Sequence, residues 1–469
     1  MRRTLVVSAV AALVLAIAGP PAVAEEPDLA SPQTVATGLS VPWGLGFLPD
    51  GSALVAERNS ARVLRVRPGS APVTVTTIAG VAATGEAGLL GLAVSPTFAQ
   101  DNLVYVYFTS ATDNRISRFR LDAPQTQTVI LSGLAKASIH DGGRIAFGPD
   151  GMLYAGVGDA GVTSNAQNQQ SRNGKILRMR PDGGVPATGN PFPGSLVYSL
   201  GHRNPQGLAW DAQGRLYAAE FGQNTWDEVN QIVAGANYGW PVVEGRSNDT
   251  RYRNPIVVWT TAEASPSGAA IDGSTMYVAA LRGQRLWSVP LDGAGGAGAP
   301  VASLQGQYGR LRTVERAPDG ALWVTTSNRD GRGTPTTEDD RILRFPPAGT
   351  PPTTPPPTTP PPTAAACSLR WVADQWSTGF TASVDVTNLG ATRNSWTLTF
   401  TFPGNQRVTG AWNATVTQTG TAVTARNASW NGGLAPGATV TFGLQATFSG
   451  TNARPTDFRL DGEPCTVSN

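Results

Sequence analysis

The chain has few of the side chains that usually carry redox or metal chemistry. Its 469 residues include two cysteines, two histidines and four methionines. A C-x-x-C-H sequence is absent, which excludes attachment of a c-type haem, and there is no cysteine cluster for zinc or an iron–sulfur centre. Both cysteines, Cys367 and Cys465, lie near the C-terminus. In an oxidising compartment such a pair predicts one disulfide that closes a small domain.

The chain also lacks a large excess of either positive or negative charge. The 35 lysines and arginines nearly balance the 33 aspartates and glutamates, and the formal net charge is +2. Two of the positive side chains, Arg2 and Arg3, lie in an N-terminal segment that we expect to be removed. Because the chain has no basic run, there is no electrostatic reason to expect binding to nucleic acid or to an anionic membrane surface.

Long apolar runs are confined to the N-terminus. Residues 5–18 are apolar and follow Arg2 and Arg3, and Ala22-Val23-Ala24 matches a cleavage site. This pattern predicts a secretory signal peptide over residues 1–24, because the apolar segment is too short for a membrane span. An uncleaved N-terminal anchor is the alternative. No later segment is long and apolar enough to cross a bilayer, so we expect a secreted, extracellular protein.

Glycine and proline, by contrast, are abundant. The 54 glycines and 37 prolines predict many turns and strands and few helices. Proline and threonine make up nearly all of residues 346–363, a composition that favours extended polyproline II. We therefore predict a linker over residues 346–365, between a large domain at residues 30–345 and a small domain at residues 366–467.

The large domain contains a sixfold repeat. Asp-Gly or Gln-Gly turns followed by alternating apolar residues indicate β-hairpins, and copies spaced about 45 to 60 residues apart indicate propeller blades. We therefore predict an all-β fold, a six-bladed β-propeller followed by a small β-sandwich. A β-helix or a single sandwich is the alternative for the large domain. The regular copies and the divergent one cover residues 47–57, 147–159, 210–222, 270–283, 316–328 and 91–110.

Two segments carry more polar side chains than a blade strand needs. Function in a propeller lies in the loops at one end of its channel. His140, in residues 138–147, could act there as a general base, or it could be hydrogen-bonded within a turn. Arg203, Asn204 and Gln206, in residues 201–210, suit an anionic or carbonyl-rich ligand, or they could cap backbone groups.

Two further sets of residues indicate bound ions. Residues 220–230 and 237–241 carry carboxylates and free loop carbonyls, an oxygen-rich set that suits Ca²⁺ rather than zinc but lacks the EF-hand spacing. The second set comprises Arg282, Arg310 and Arg312. The last two are two residues apart and would share one face of a strand. Two like charges on one face indicate either solvent or an anion.

Residues 33–346 together resemble the soluble quinoprotein sugar dehydrogenases, which use pyrroloquinoline quinone (PQQ) and calcium. The fold of that family is a six-bladed propeller. The matching runs are GEAGLLGLA (85–93), IHDGGRIAFGPDG (139–151), GHRNPQGLAW (201–210), EFGQNTWDEVN (220–230) and NYGWP (237–241).

The resemblance implies roles for individual residues. His140 is similar to the general base that takes the proton of the sugar's anomeric hydroxyl while hydride passes to PQQ. Arg203 is similar to the arginine beside the quinone carbonyls, which stabilises developing negative charge. Arg310 and Arg312 are similar to the pair that binds the carboxylates of PQQ, a tricarboxylate. The further cofactor contacts that the resemblance implies are Glu86, Asn204, Gln206 and Arg282.

The resemblance also implies two calcium ions. The carbonyls of Gly222 and Gln223 would hold the catalytic ion, which acts as a Lewis acid on the quinone oxygen. Glu228 and the carbonyl of Tyr238 would hold a second, structural ion, with Asp249 as a further candidate ligand.

The chain departs from the family pattern at four of these positions. Glu86 and Arg282 stand where some members have glutamine and lysine, and Ile139 stands where some have an acid before the general base. Gln223 replaces a proline, but the ligand there is the carbonyl, which every residue has. We expect these departures to affect sugar specificity more than reaction type.

The C-terminal part, residues 367–465, resembles a family 2 carbohydrate-binding module. Flat apolar rings suit the C–H faces of pyranoses, and two tryptophans in alternating strands, Trp371 and Trp396, are instead predicted to be core. The rings that the resemblance implies for stacking on cellulose are those of Trp376, Trp412 and Trp430.

The sequence therefore predicts a PQQ- and calcium-dependent dehydrogenase that oxidises the anomeric carbon of an aldose or oligosaccharide to a lactone while anchored to cellulose. Without a haem, electrons would leave to an external acceptor, for which a lytic polysaccharide monooxygenase is a candidate. The alternatives are a calcium-dependent propeller lactonase and a non-catalytic carbohydrate-binding propeller. Arg310 and Arg312 favour the PQQ enzyme, because a hydrolase of a neutral lactone does not need an anion-binding pair.

Overall fold

The computed structural model describes residues 26–349 and 367–468. The predicted signal peptide and most of the predicted linker therefore lie outside the described residues. The chain forms two compact units, one before and one after the linker region. Within the described ranges, no helix is long and apolar enough to cross a membrane.

Residues 26–349 form six four-stranded antiparallel sheets, which confirms the predicted six-bladed propeller. Blade 1 contains Pro42–Phe47, Ala53–Glu57, Arg62–Val66 and Val73–Thr77. Blade 2 contains Leu89–Val94, Leu103–Thr109, Asn114–Arg120 and Ala123–Leu134, with a short helix at Phe98–Asp101. Blade 3 contains Ile145–Phe147, Leu153–Val157, Lys175–Met179 and Val197–Leu200, with a 3-10 turn at Thr163–Ala166.

The other three blades complete the ring. Blade 4 contains Pro205–Trp210, Leu216–Glu220, Trp226–Ile232 and Val257–Thr260. Blade 5 contains Pro266–Asp272, Thr275–Ala280, Arg285–Pro290 and Val301–Ser303. Blade 6 contains Leu311–Arg316, Leu322–Thr326 and Ile342–Phe345, and its fourth strand is the N-terminal Gln33–Ala36. The ring is thus closed by pairing the start of the domain with its end.

The turns of the repeat join the first and second strands of five blades. In the five regular copies the turn glycine has a φ between +56° and +83°, which only glycine adopts without strain. In blade 2 the short helix replaces this turn, which explains why its sequence copy is divergent. Five turns and one short helix therefore correspond to six blades.

The core of the propeller lies between the blades. Within residues 26–349, five clusters of buried apolar side chains each join two neighbouring blades, and a sixth joins blades 2 and 3 and includes Trp43 of blade 1. The first strands of consecutive blades contact one another around the central channel. A Cβ atom on Gly207 would lie 2.4 Å from the carbonyl oxygen of Ser267 in the next blade, so glycine is needed for this close approach. The loops before each first strand and after each second strand consequently meet at one end of the channel.

Residues 367–468 form the second unit, in which nine strands pair in one continuous order over a single core. Its form confirms the predicted small β-sandwich. The disulfide joins Cys367 in the first strand to Cys465 in the last, as predicted. Trp396 is buried, and the half-buried ring of Trp371 packs against the core. In spatial order the strands are Arg407–Trp412, Thr439–Thr447, Gly379–Asn388, Cys367–Trp376, Glu463–Ser468, Thr456–Leu460, Thr397–Thr401, Ala422–Asn427 and Ala414–Thr419.

Candidate active site

A cavity of about 490 Å³ opens at the end of the channel where the loops meet. All six blades contribute to it, mostly through residues that precede the first strands or follow the second strands. Among the described residues, the ionisable side chains that line it are mostly positive, and such a surface attracts anions. They are Arg58, Arg203, Arg282, Arg310, Arg312 and Arg332, with His140, Glu86, Asp227 and Asp330.

His140 lines this cavity and is held by a buried carboxylate. Its Nδ1 lies 2.7 Å from Oδ1 of Asp159, which also accepts a hydrogen bond from Gly161 N at 2.8 Å. The other oxygen of Asp159 accepts from Nε1 of Trp240 at 2.8 Å. Burial alone would raise the pKa of Asp159, but the bonds from His140, Trp240 and Gly161 lower it overall. The ionised carboxylate accepts the Nδ1–H proton, so Nε2 of His140 is the atom able to accept another.

Glu86 supports the same histidine from the other side. Its Oε2 accepts the backbone N–H of His140 at 3.0 Å, and its Oε1 pairs with Arg332 at 3.2 Å. His140 has a φ of +58°, an uncommon conformation for a residue other than glycine. The Glu86 carboxylate therefore helps to hold a strained backbone at the base, while its contact with a cofactor stays a prediction.

Arg203 presents an incompletely bonded guanidinium to the cavity. It donates from Nη1 to the carbonyl of Phe221 at 3.3 Å and lies 5.5 Å from the ring centroid of Trp240. Its buried Nε has no hydrogen-bond partner among the described residues. Burial lowers the pKa of Arg203, and the charge of Asp159 acts in the opposite direction.

Asn204 and Gln206, which the sequence places together, occupy different positions. Asn204 is fully buried behind the cavity wall, where its Oδ1 accepts the N–H of Gly142 at 3.0 Å. Gln206 lies on the first strand of blade 4 and lines the cavity. Its Oε1 accepts a hydrogen bond from Nη1 of Arg312 at 3.0 Å. The structure therefore brings Gln206, but not Asn204, to the cavity surface.

Arg310 and Arg312 converge on one carboxylate. Arg310 precedes the first strand of blade 6 and Arg312 lies within it, and their guanidinium groups lie 2.9 and 3.3 Å from Oδ2 of Asp330. Arg58 donates to the backbone carbonyl of Asp330 at 3.2 Å. Burial lowers the pKa of Arg312 to about 9. Three guanidinium groups around one carboxylate leave an excess of positive charge.

Arg282 is exposed at the rim of the cavity.

The oxygen-rich segment is mostly strand. Glu220 ends the second strand of blade 4, and Asp227 and Glu228 lie in the third strand, Trp226–Ile232. The carboxylates of this oxygen-rich set therefore lie on strands. Only residues 221–225 form a loop, and Gly222 and Gln223 within it line the cavity.

A second cavity, of about 10 Å³, lies beside this loop and has room for a single ion or water. Glu228 and Tyr238 line it together with Glu220 and Glu244. Burial and the neighbouring Glu220 raise the pKa of Glu228 to about 8. Throughout the described ranges, no three His, Cys, Asp or Glu side chains form a ready metal cluster. A cation here would therefore need backbone carbonyls as additional ligands.

Asp249 is not brought to this small cavity. Its carboxylate pairs with Arg251 at 2.6 Å and is partly exposed, and Asp249 is not one of the residues that line the cavity.

His202 is also outside both cavities. Its buried ring bonds to Glu220 and Ser199 and stacks on Tyr238 at 4.7 Å. Of the two histidines, only His140 can therefore reach a ligand in the larger cavity.

In the C-terminal unit, three tryptophans are exposed. Trp376, Trp412 and Trp430 expose 46, 48 and 75% of their surface. A Cβ atom on Gly443 would lie 2.1 Å from the ring of Trp412, so this ring lies flat over the sheet. Exposed, flat rings are what stacking on a polysaccharide requires, and that role stays a prediction.

Sequence reasoning missed Asp159, Asp330 and Arg58. Each follows the second strand of its blade within a few residues, at the end of the channel where the cavity lies. An alignment of the repeat copies with one another would have identified these positions, because a charged residue follows the apolar residues of the second strand in these copies.

Comparison with known proteins identifies both units. Residues 39–343 match the family model Glucose / Sorbosone dehydrogenase, and residues 366–465 match the model Cellulose binding domain. The structure is similar to that of the PQQ-bound form of aldose sugar dehydrogenase from Streptomyces coelicolor. Sequence identity is 51%, the match covers 67% of this chain and 97% of that chain, and the TM-score is 0.65.

Two relatives support these matches. Quinoprotein glucose dehydrogenase B from Acinetobacter calcoaceticus is 34% identical over 258 residues, which cover 47% of this chain and 54% of that protein. Exoglucanase B from Cellulomonas fimi is 48% identical over 102 residues, which cover 22% of this chain and 9% of that protein. The chain thus spans about half the length of the quinoprotein and a small part of the exoglucanase.

Proposed function

The chain belongs to the glucose/sorbosone dehydrogenase family, and we propose that it oxidises the anomeric carbon of an aldose or oligosaccharide to a lactone with PQQ and Ca²⁺. The observation that carries this proposal is the pairing of His140 with the buried Asp159 at the wall of an arginine-lined cavity. We further propose that the protein is secreted and acts while its C-terminal module binds cellulose.

The residues of the cavity fit the proposed cofactor. The unpartnered Nε of Arg203 and the excess positive charge around Asp330 suit a carbonyl-rich, anionic group. Gly222 and Gln223 line the same cavity, and their carbonyl oxygens suit Ca²⁺. Glu228 and the Tyr238 carbonyl are proposed to hold the second ion in the small cavity. Asp249 would join them only if its loop moved, because its carboxylate pairs with Arg251.

The base operates through the two nitrogens of its ring. Asp159 holds the Nδ1–H of His140, so Nε2 takes the proton of the anomeric hydroxyl. Asp159 also stabilises the imidazolium that results, because the carboxylate is buried and ionised. When bound, PQQ with its calcium ion supplies the acceptor for the hydride from the anomeric carbon. The guanidinium of Arg203 is placed to stabilise negative charge on a ligand in the cavity.

A reconstitution experiment tests the proposal. The protein purified without cofactor is mixed with PQQ and Ca²⁺, and dye reduction is followed with a panel of monosaccharides and cello-oligosaccharides. We expect reduction that requires sugar, PQQ and Ca²⁺ together. Absence of sugar-dependent reduction in every combination would refute the dehydrogenase proposal, and Ca²⁺-dependent lactone hydrolysis without PQQ would favour a lactonase instead.

The external electron acceptor is proposed from the cellulose anchor alone. Electrons from the sugar must reach a separate molecule, and a lytic polysaccharide monooxygenase would be present on the same substrate. We expect the reconstituted protein with sugar to activate such a monooxygenase on cellulose. A monooxygenase that stays inactive while the dye is reduced would contradict this pairing without affecting the dehydrogenase proposal.

A further inference from the structure

One carboxylate oxygen accepts hydrogen bonds from four consecutive backbone amides beside the large cavity. Oε1 of Glu244 lies 2.7 Å from the nitrogen of Gln223 and 3.0 Å from that of Asn224. It also lies 3.1 Å from the nitrogen of Thr225 and 3.2 Å from that of Trp226. Successive N–H groups that point at one centre form an anion-binding concavity, and here a side chain of the same protein fills it.

These hydrogen bonds fix the direction of two carbonyls. In a planar trans peptide the N–H of one residue and the C=O of the preceding residue point in opposite directions. Among the described residues, the cis peptide bonds are Trp240–Pro241 and Asp339–Asp340, so the loop peptides are trans. Because the N–H groups of Gln223 and Asn224 point at Glu244, the carbonyls of Gly222 and Gln223 point away from it.

The carbonyls therefore face the large cavity. Gln223 lines only that cavity and Gly222 lines both, whereas Glu244 lines only the small cavity. The amide of Gly222 is held separately, by Oδ1 of Asp227 at 2.9 Å. A Cβ atom on Gly222 would lie 1.7 Å from the carbonyl oxygen of Trp226, so the turn has no room for a side chain there. The loop is consequently fixed at both ends of the peptide pair.

We infer that Glu244 is a positioning residue for the catalytic cation. By binding the amides of Gln223 and Asn224, it holds the carbonyls of Gly222 and Gln223 toward the cavity before an ion arrives. The inference rests on the proposed function, since Ca²⁺ is the proposed ligand of these carbonyls. A loop that is already ordered loses less conformational entropy on binding, and the partners that orient metal ligands typically contribute 10- to 100-fold to metal affinity.

Two variants test the inference. Glu244→Gln keeps the shape of the side chain but removes its charge, and Glu244→Ala removes the acceptor. The control is Asp292→Asn, since Oδ1 of Asp292 likewise accepts two loop amides, those of Ala294 and Gly296 at 2.7 and 2.9 Å, in a loop that lines neither cavity. Each protein is titrated with Ca²⁺ at fixed PQQ, and binding is followed by the absorbance of PQQ.

We expect the Ca²⁺ midpoint to rise about 10- to 100-fold in Glu244→Gln and further in Glu244→Ala, with no change in Asp292→Asn. At saturating Ca²⁺, kcat of Glu244→Gln should approach that of the wild type, because Glu244 does not line the large cavity, where sugar and cofactor are proposed to bind. Hydrogen exchange in the ion-free protein should be faster at residues 223–226 of Glu244→Gln, and unchanged in the strands of blade 4. The exchange measurement keeps the test valid if Glu244→Ala fails to fold.

The outcomes separate this inference from the proposed function. A wild-type protein that does not bind PQQ in a Ca²⁺-dependent manner would refute the proposed function. A wild-type protein that binds, with an equal Ca²⁺ midpoint in Glu244→Gln, would refute only the role of Glu244. A raised midpoint without faster exchange of the loop amides would also overturn the inference, because Glu244 would then act as a direct ligand of an ion in the small cavity.

Discussion

Replacing Asp159 by asparagine should remove the base while leaving the cavity intact. Three donors surround this carboxylate: Nδ1 of His140, Nε1 of Trp240 and the amide of Gly161. Only the histidine can become an acceptor, by moving its proton to Nε2. If the new side-chain amide places its Nδ2 against His140, only the N–H of Gly161 is left without an acceptor. In the reverse orientation Nδ2 faces Nε1 of Trp240, and both of these donors are left without an acceptor. The substitution therefore favours the tautomer in which Nε2 cannot accept a proton.

The size of the effect follows from the loss of general-base catalysis and of the buried charge that stabilises the imidazolium. General-base catalysis contributes about 10²- to 10⁴-fold, so we expect kcat to fall about 10³-fold, or about 4 kcal/mol in activation free energy. PQQ affinity should change little, because Asp159 does not line the cavity. The assay is sugar-dependent dye reduction at saturating PQQ, Ca²⁺ and sugar, with PQQ binding measured separately.

Asp211→Asn is the matched control. Asp211 is also buried and accepts hydrogen bonds from the Tyr217 hydroxyl and the amide of Arg215, but it lies at the opposite end of the channel. Both variants should lose about 1–3 kcal/mol of stability, and only Asp159→Asn should lose turnover. Turnover near that of the wild type in Asp159→Asn would show that the pair does not act as the base.

Three further predictions concern cofactor binding, stability and the C-terminal module. Arg312→Gln should weaken PQQ binding about 10- to 100-fold in a fluorescence titration, since it removes a buried charge. Arg344→Gln, which loses a pair with Asp319 away from the cavity, should bind normally, and equal affinities would exclude the anion-binding role. Burial raises the pKa of Glu315 from an ordinary 4.5 to about 7. Between those values the folded state binds more protons than the unfolded state, so stability falls as pH rises through the window. Glu315→Gln should abolish that fall and stabilise the propeller at pH 8 by up to about 3 kcal/mol in urea unfolding, and parallel pH profiles would contradict this. Trp430→Ala should weaken sedimentation with cellulose about three- to tenfold, whereas Val372→Ala, another exposed apolar position, should not, and unchanged binding by both would remove Trp430 from the binding surface.

The blade count could be predicted because five copies carry an Asp-Gly or Gln-Gly turn and the divergent sixth copy keeps the alternating apolar residues. The closing strand Gln33–Ala36 could not, since it lacks a turn and pairs with a strand about 300 residues later in the chain. The sequence around the N-terminal strand contains no signal that identifies its partner strand. The pairing is determined only when the ring of blades closes.

The site was predicted where its polar side chains cluster in sequence. His140 and Arg203 each precede the first strand of a blade, in polar segments that the alternating pattern of the blades does not require. These segments could therefore be recognised as candidate site residues from the sequence. Asp159 and Asp330 are single acidic residues after second strands, and their importance comes from the guanidinium and imidazole groups that the ring brings to them. The hydrogen bonds between Glu244 and the loop at residues 222–226 likewise depend on a tertiary contact that the sequence does not reveal.

The most direct test of the central claim is an anaerobic single turnover. Protein loaded with one equivalent of PQQ and Ca²⁺ is mixed with excess aldose in the absence of an acceptor, and both the PQQ spectrum and the sugar product are measured. The proposed function predicts full reduction of PQQ and one equivalent of lactone or its aldonic acid, with His140→Ala binding PQQ but leaving its spectrum unchanged by sugar. Bound PQQ that stays oxidised in the wild-type protein with every aldose would contradict it.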